Sequence, residues 1–158
     1  MIDYHYWARD RVLDAVALLP PEQFTRDLGN SFKSIRDTLG HLLGAEVNWY
    51  LRWQGESPTS LIPPDEFPDV DSIRTRWREH EQKMRAYIHS VGEEQVTGII
   101  NYKMLNGAPM ASPLWQMVQH VVNHGSYHRG QVTTMLRQLG AKPAKSLDLI
   151  AYYREIGG

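Results

Sequence analysis

The feature that most constrains the fold is a long segment near the C-terminus without a proline in its interior. It begins at Ser112 and Pro113, a favourable N-cap followed by proline at the first helical position, and it ends at Gly140, about 27 residues later. Apolar or small residues recur along one face at helical spacing: Leu114, Val118, Val121, Gly125, Val132, Leu136 and Leu139. A helix this long buries such a stripe most readily against other long helices, which favours a helical bundle.

Three further segments have helical periodicity and comparable length. Their predicted ranges are 3–19, 34–53 and 71–92, and Ser34 is positioned to cap the second of them. The proline-rich stretch 58–68 separates the second from the third and is predicted to be a loop. A shorter helix is predicted over 146–156.

The connection before the long C-terminal helix has a different pattern. Residues 96–105 include several β-branched residues and one tyrosine, and Asn106-Gly107 follows them, so a short β-hairpin and an irregular connection are equally compatible with the sequence. The predicted fold class is therefore all-α: a four-helix bundle with a short extra C-terminal helix and room for a small hairpin. We expect residues 1–158 to form a single domain.

Composition excludes several classes of function. Seventeen basic residues against eighteen acidic ones give a net charge of -1, which does not favour nucleic acid as a partner. The absence of cysteine leaves histidine, carboxylate and water as metal ligands. Neither a secretory signal nor an apolar run long enough to span a membrane is present, so we expect a cytoplasmic protein with no membrane association.

Two histidines four residues apart on the long helix, His124 and His128, have the spacing of a metal-binding pair. Cβ atoms at this spacing are about 5 to 6 Å apart, so both imidazoles can reach one ion. His120 precedes His124 by the same interval, so the pair 120 with 124 is an alternative, but His120 projects further toward solvent. We favour His124 with His128.

A third ligand has to come from another helix, and His41 is the histidine that the second predicted helix provides. Its neighbours Gly40, Gly44 and Ala45 are small, which is expected to leave room for an ion. The projection of His41 permits this choice without requiring it.

The other polar residues of interest divide into three groups. His80 lies in a run of charged residues and is predicted to be solvated, and His89 lies near a helix end. His5, on the first predicted helix, is a candidate either for a pocket residue or for a residue that orients a metal ligand. Glu46 and Gln131 are candidates for orienting a metal ligand, and Glu46 also for a general base or a structural hydrogen bond. Residues 123, 127 and 129 are further candidates for the border of the site, with a surface position equally compatible.

Four segments together resemble the DinB/YfiT-like superfamily, a group of DNA-damage-inducible metalloenzymes. Residues 38–46, TLGHLLGAE, are similar to its second-helix motif, and residues 120–131, HVVNHGSYHRGQ, to its fourth-helix motif of a histidine pair followed by Arg-Gly-Gln. Residues 4–9 and 148–154 resemble its first and last helices. The resemblance covers essentially the whole chain.

The resemblance implies an up-down-down-up bundle, a three-histidine site for nickel or zinc, and a homodimer. Related members include thiol-dependent S-transferases and a mycothiol-dependent isomerase. The resemblance therefore implies a metal-dependent transferase, isomerase or hydrolase that acts on a small molecule, with a low-molecular-weight thiol as cosubstrate. A non-catalytic metal-binding or ligand-binding stress-response module is the alternative, and a purely structural ion is disfavoured because three ligands leave its coordination incomplete.

Overall fold

A computed structural model describes residues 1–157, and within that range it contains seven α-helices and one two-stranded sheet. In chain order these are α1 (Ile2–Val16), α2 (Pro21–Phe24), α3 (Ile35–Trp53), α4 (Val70–Ser90), α5 (Glu93–Thr97), β1 (Ile99–Lys103), β2 (Pro109–Pro113), α6 (Leu114–Gln138) and α7 (Leu149–Ile156). The predicted fold class is confirmed, including the small hairpin and the extra C-terminal helix. None of these helices within residues 1–157 is long and apolar enough to cross a membrane.

The four long helices enclose the core. Both α3 and α1 pack against α6 and against α4, so each long helix has two neighbours in the bundle. Fully buried apolar side chains come from every one of them, including Leu13, Leu39, Ile73, Met84 and Leu136. Burying one such side chain contributes roughly 1.5 to 3 kcal/mol, so this shared core is the main stabilising term of the fold.

The starts of α3 and α4 are defined by side-chain caps. The hydroxyl of Ser34 accepts a hydrogen bond from the backbone N–H of Asp37 at 3.1 Å, as the sequence predicts. Asp69 caps α4 in the same way through the N–H of Ser72, and the Ser72 side chain completes a capping box.

The start of α6 differs from the prediction. Ser112 is not its N-cap, because it belongs to β2 and lies opposite Ile100 in the sheet. Pro113 ends the strand, and the first N–H of the helix, that of Leu114, donates to the carbonyl of Gly98 at 3.2 Å. The carbonyl of Gly98, just before β1, thus satisfies this N–H, and the helix starts without the expected hydroxyl cap.

The hairpin is shorter than the sequence pattern indicates. Residues 96 and 97, predicted as strand, lie in α5, and the paired register runs from Ile99 opposite Pro113 to Lys103 opposite Pro109. The turn spans residues 104–108, and Gly107 adopts a φ of 83°, a left-handed conformation that glycine adopts without strain. Besides α5, the short helix α2 was also absent from the sequence prediction, because helices of four or five residues are too short for periodicity to reveal.

The proline-rich connection lies against α3. It contains one 3-10 turn, Pro64–Glu66, and residues 61–67 pass close to two glycines of the helix. A Cβ atom at Gly40 would lie 3.1 Å from Pro64 Cβ, and one at Gly44 would lie 3.3 Å from the backbone nitrogen of Ile62. The expectation that these small residues leave room for an ion is therefore wrong: they allow the loop to approach the helix backbone.

Candidate metal centre

Three histidines from two helices meet at one point of the bundle. His41 comes from α3, whereas His124 and His128 come from successive turns of α6. The Nε2 atom of His124 lies 3.2 Å from Nε2 of His41 and 3.0 Å from Nε2 of His128. One ring nitrogen from each lies within 4.8 Å of the other two. The structure thus brings together the three histidines that were selected from the sequence.

The spacing of these nitrogens suits a small divalent ion. Nitrogens bound at about 2.0 to 2.1 Å around a tetrahedral ion lie about 3.3 Å from one another. The two short separations in the triad, 3.0 and 3.2 Å, are close to that value. Two imidazole nitrogens that face each other share at most one proton, so lone pairs converge on a common space. The triad could therefore bind a metal ion.

Gln131 determines which nitrogen of His128 faces the triad. Nδ1 of His128 donates to Oε1 of Gln131 at 2.6 Å. An amide oxygen only accepts hydrogen bonds, so the proton of a neutral His128 resides on Nδ1, and Nε2 presents its lone pair. Gln131 lies three residues further along α6, which places both side chains on one face of the helix.

Phe32 stacks on the ring of His41 and restrains it. The two rings stack with centroids 4.2 Å apart and planes at 23°, and the ring of His128 meets the same phenyl ring edge-on, with centroids 5.4 Å apart. Phe32 belongs to the connection before α3 and was not identified from the sequence. A large aromatic residue two positions before a helix cap, in an otherwise polar segment, is the signal that would have identified it.

The triad is held in its neutral, ligand-competent form. Burial, followed by the charge of His128, lowers the pKa of His41 to about 4. Burial and then the neighbouring histidines lower the pKa of His124 to about 3. The pKa of His128 is also lowered by burial, although the hydrogen bond to Gln131 opposes the shift. Imidazoles must be neutral to bind a metal, so these lowered pKa values favour the ligand-competent form of the triad at neutral pH.

His120 lies beside the triad without joining it. Its ring stacks on His124 with centroids 5.7 Å apart and contacts the indole of Trp49 at 4.9 Å. Of the two histidine pairs that the sequence allowed on α6, the one that converges with His41 is 124 with 128.

Comparison with known proteins agrees with this fold. A family model described as the DinB family matches residues 1–154. That match covers nearly the whole chain. This chain belongs to the DinB family.

Two DinB relatives give the extent of the similarity. Protein DinB of Bacillus subtilis is 22% identical over 147 residues, which cover 89% of this chain and 84% of the relative. The crystal structure of a DinB-like protein from Bacillus cereus superimposes with a TM-score of 0.69 at 20% identity, and covers 91% of each chain. At this level of identity, the second likeness shows a shared fold.

Glu46 of this DinB-family chain lies in the core, in a network separate from the triad. Its Oε2 accepts hydrogen bonds from Nε2 of His5 at 2.9 Å and from Nε1 of Trp77 at 2.9 Å, and its Oε1 accepts one from the hydroxyl of Tyr6 at 2.6 Å. Both carboxylate oxygens are thus engaged by α1 and α4, and Glu46 makes no hydrogen bond to the triad. Of the roles left open for it, the structural hydrogen bond is the one observed.

The network keeps the buried carboxylate ionised. Burial alone would raise the pKa of Glu46, but His5, His80 and the Tyr6 hydroxyl together hold it below its ordinary value. Burial, and then the charge of Glu46 and the hydrogen bond to it, raise the pKa of Tyr6 well above its ordinary value, so Tyr6 remains a hydrogen-bond donor. A buried charge with this many donors stabilises the contacts between α1, α3 and α4.

The prediction that His80 is solvated is wrong. Only 6% of its surface is exposed, its Nε2 lies 3.7 Å from Oε1 of Glu46, and its ring meets Tyr50 edge-on at 5.3 Å. The spacing from Ile73 and Trp77 to His80 and Met84 is that of one helix face, so His80 belongs to the buried stripe. The charged residues beside it in sequence point away from the core.

Arg129 connects the network to α6. Its Nη1 donates to Nδ1 of His5 at 3.3 Å, and its Nη2 donates to the hydroxyl of Ser126 at 3.0 Å. Arg129 is therefore buried on the core side of α6 and does not border the triad. Tyr127 is 65% exposed, with its ring 5.0 Å from His128, and Asn123 is exposed on the same helix.

Proposed function

We propose that His41, His124 and His128 bind a divalent transition metal ion, nickel or zinc, and that the protein is a metal-dependent enzyme. The proposed reaction class is an S-transfer, isomerisation or hydrolysis of a small molecule, with a low-molecular-weight thiol as the cosubstrate in the first two cases. The observation that carries the proposal is the convergence of three neutral imidazoles, with Nε2 separations of 3.0 and 3.2 Å, in a DinB-family fold.

The ligand set favours a reactive ion over a structural one. Imidazole is a good ligand for zinc and nickel, and structural zinc sites usually have four protein ligands. Three protein ligands leave a position for a substrate, and an ion bound there supplies Lewis-acid chemistry that lowers the pKa of a coordinated thiol or water.

The protein's own residues supply position. Gln131 orients His128, Phe32 restrains the ring of His41, and the helical backbone of α6 sets the spacing of His124 and His128. The chain has no cysteine, so any thiol in the reaction has to arrive as a cosubstrate. Because both oxygens of Glu46 are already hydrogen-bonded in the core, Glu46 is not proposed as a general base.

Two measurements on one preparation test the proposal. Elemental analysis of the purified protein is expected to find about one nickel or zinc ion per chain. A screen of thiols paired with electrophilic substrates, together with simple hydrolysable esters and amides, is expected to show turnover that chelation abolishes and metal restores. Metal binding with stoichiometric ligand uptake and no turnover would instead support the non-catalytic ligand-binding module. Failure to bind either metal would contradict both.

A further inference from the structure

Arg52, on the last turn of α3, is a buried cation without a carboxylate partner. It is 4% exposed, and no carboxylate oxygen of residues 1–157 lies within 4.0 Å of its guanidinium. Its Nε donates to the carbonyl of Lys103 at 3.2 Å. Buried charges are normally paired, and in Arg52 only Nε has a protein partner among residues 1–157, so the guanidinium retains donors for a counter-charge.

The guanidinium is held in place by aromatic rings. Its Cζ lies 4.8 Å from the ring centroid of Trp49 and 5.6 Å from that of Tyr102, and these two rings meet edge-on at 5.4 Å. Within residues 1–157, its two terminal nitrogens donate to no protein group and are not sealed from solvent. The fork of N–H groups that suits a carboxylate is thus fixed and free.

Trp49 connects this guanidinium to the histidine triad. The indole contacts Arg52 on one side and His120 on the other, at 4.8 and 4.9 Å, and His120 stacks on His124. The two polar sites are therefore joined by a continuous strip of aromatic and imidazole rings. The steps of 4.8, 4.9 and 5.7 Å set an upper limit of about 15 Å on the span from the guanidinium to the His124 ring, and an extended ligand of about three residues, roughly 10 Å long, lies within that range.

We infer that Arg52 binds an anionic group of the substrate, a carboxylate, while the other end of the same molecule reaches the histidine triad. The inference rests on the proposed function for the identity of the second end, but the anion site itself does not require a metal. It narrows the substrate class to small molecules that carry a carboxylate and a metal-directed donor such as a thiol.

The anion site is tested first in metal-free protein. The Nε–H resonance of Arg52 is followed by nitrogen–proton NMR during titration with sodium acetate, against sodium chloride at equal ionic strength. A saturable shift with acetate alone is expected. Arg85, which already pairs with Asp3 and Glu81, is the matched control and should not respond. An Arg52 resonance that does not respond to acetate overturns the inference, whatever the outcome with metal.

The second experiment uses metal-loaded protein and two probes that differ by one charge. These are the peptide cysteinyl-glycyl-glycine with a free carboxylate and the same peptide as its carboxamide, both measured by calorimetry. The carboxylate form is expected to bind about tenfold more tightly, and Arg52→Gln is expected to remove that preference without changing binding of the amide. Arg85→Gln should retain it.

The possible failures are distinguishable. Equal binding of the two peptides to the unaltered protein overturns the inference and leaves the thiol proposal intact. Binding of neither peptide contradicts the thiol proposal, and the acetate titration then decides the role of Arg52 alone. If Arg52→Gln is shown by circular dichroism to misfold, Arg52→Lys replaces it. That variant keeps the charge but loses the planar fork, so a reduced preference is expected and an unchanged one overturns the inference.

Discussion

Among single residues, Glu46 is the one whose replacement should most weaken the bundle. The carboxylate of Glu46 accepts hydrogen bonds from three donors on α1 and α4, and Glu46→Gln removes its charge. We therefore expect the free energy of unfolding at pH 7 to fall by about 3 kcal/mol, measured by denaturant unfolding. The pKa of Glu46 in the folded state lies below its unfolded value of 4.5. The stabilisation from the ionised carboxylate is therefore fully present above pH 4.5 and is lost as the pH falls from 4.5 through the folded-state pKa. The difference in the free energy of unfolding between Glu46→Gln and the unaltered protein should therefore become smaller below pH 4.5.

The control for this prediction is Glu79→Gln. Glu79 is 58% exposed and has one ion-pair partner, Arg76, so its replacement should change the free energy of unfolding by less than about 1 kcal/mol. Similar losses in the two variants would show that the buried network contributes no more than a surface pair.

His124 is the central member of the triad, since its Nε2 faces both other rings. His124→Ala should weaken metal binding by more than about 100-fold, beyond the loss typical of a residue that only orients a ligand. Helicity by circular dichroism should be unchanged, because the bundle core does not depend on the ion. His89→Ala, an exposed histidine on α4, should leave metal affinity unaltered. Unfolding of His124→Ala at room temperature would show instead that the ion is structural.

Gly125 allows α6 to approach α1 next to the buried network. A Cβ atom there would lie 2.6 Å from Cε1 of His5 and 2.7 Å from Nη1 of Arg129, both held by hydrogen bonds in the core. We expect Gly125→Ala to destabilise the protein by about 2 kcal/mol, measured by chemical denaturation. Gly130→Ala on the same helix meets nothing within 4 Å and should stabilise it by about 0.5 to 1 kcal/mol. A stabilising effect at both positions would contradict the tight packing at His5.

At the scale of elements, the N-cap of α3 affects both stability and the position of His41. The Ser34 hydroxyl is fully buried and is bonded to the N–H of Asp37, so Ser34→Ala should lower the free energy of unfolding by about 1 kcal/mol. His41 lies in the second turn of this helix, so fraying of its first turn should also weaken metal binding. Ser31→Ala, in the exposed part of the preceding connection, is the control and should alter neither quantity.

At the scale of the whole molecule, the aromatic content predicts a homodimer, since five tryptophans and eight tyrosines exceed what a bundle core of this size readily encloses. The sequence makes the end of α3, with Trp49, Tyr50 and Trp53, a candidate patch for the interface. Of the residues at the end of α3, Trp53 is only 5% exposed and stacks on Tyr87. The exposed large aromatics are instead Trp115, Tyr127 and Tyr153. We expect analytical ultracentrifugation at micromolar concentration to give twice the single-chain mass of 18.2 kDa. A mass of one chain would refute the prediction.

Much of the fold could be predicted because it depends on local pattern. Helical periodicity and the Ser34 cap located α3, and Gly140 located the end of α6, where it takes a φ of 71°. The histidine pair on α6 could be predicted for the same reason, since an interval of four residues places two side chains on one helix face in any context. His41 could be selected because the second predicted helix contains a single histidine.

Contacts between distant parts of the chain determined what the sequence alone did not. The start of α6 depends on a hydrogen bond from Leu114 to Gly98, and the burial of His80 depends on Glu46, which comes from a different helix. Phe32 meets His41 only because the preceding connection folds over α3. Periodicity and propensity report the interaction of a residue with its own helix, whereas these contacts arise when α1, α3, α4 and α6 close around the core. The four long helices and the histidine candidates were thus determined by the sequence, and the geometry of the site by tertiary packing.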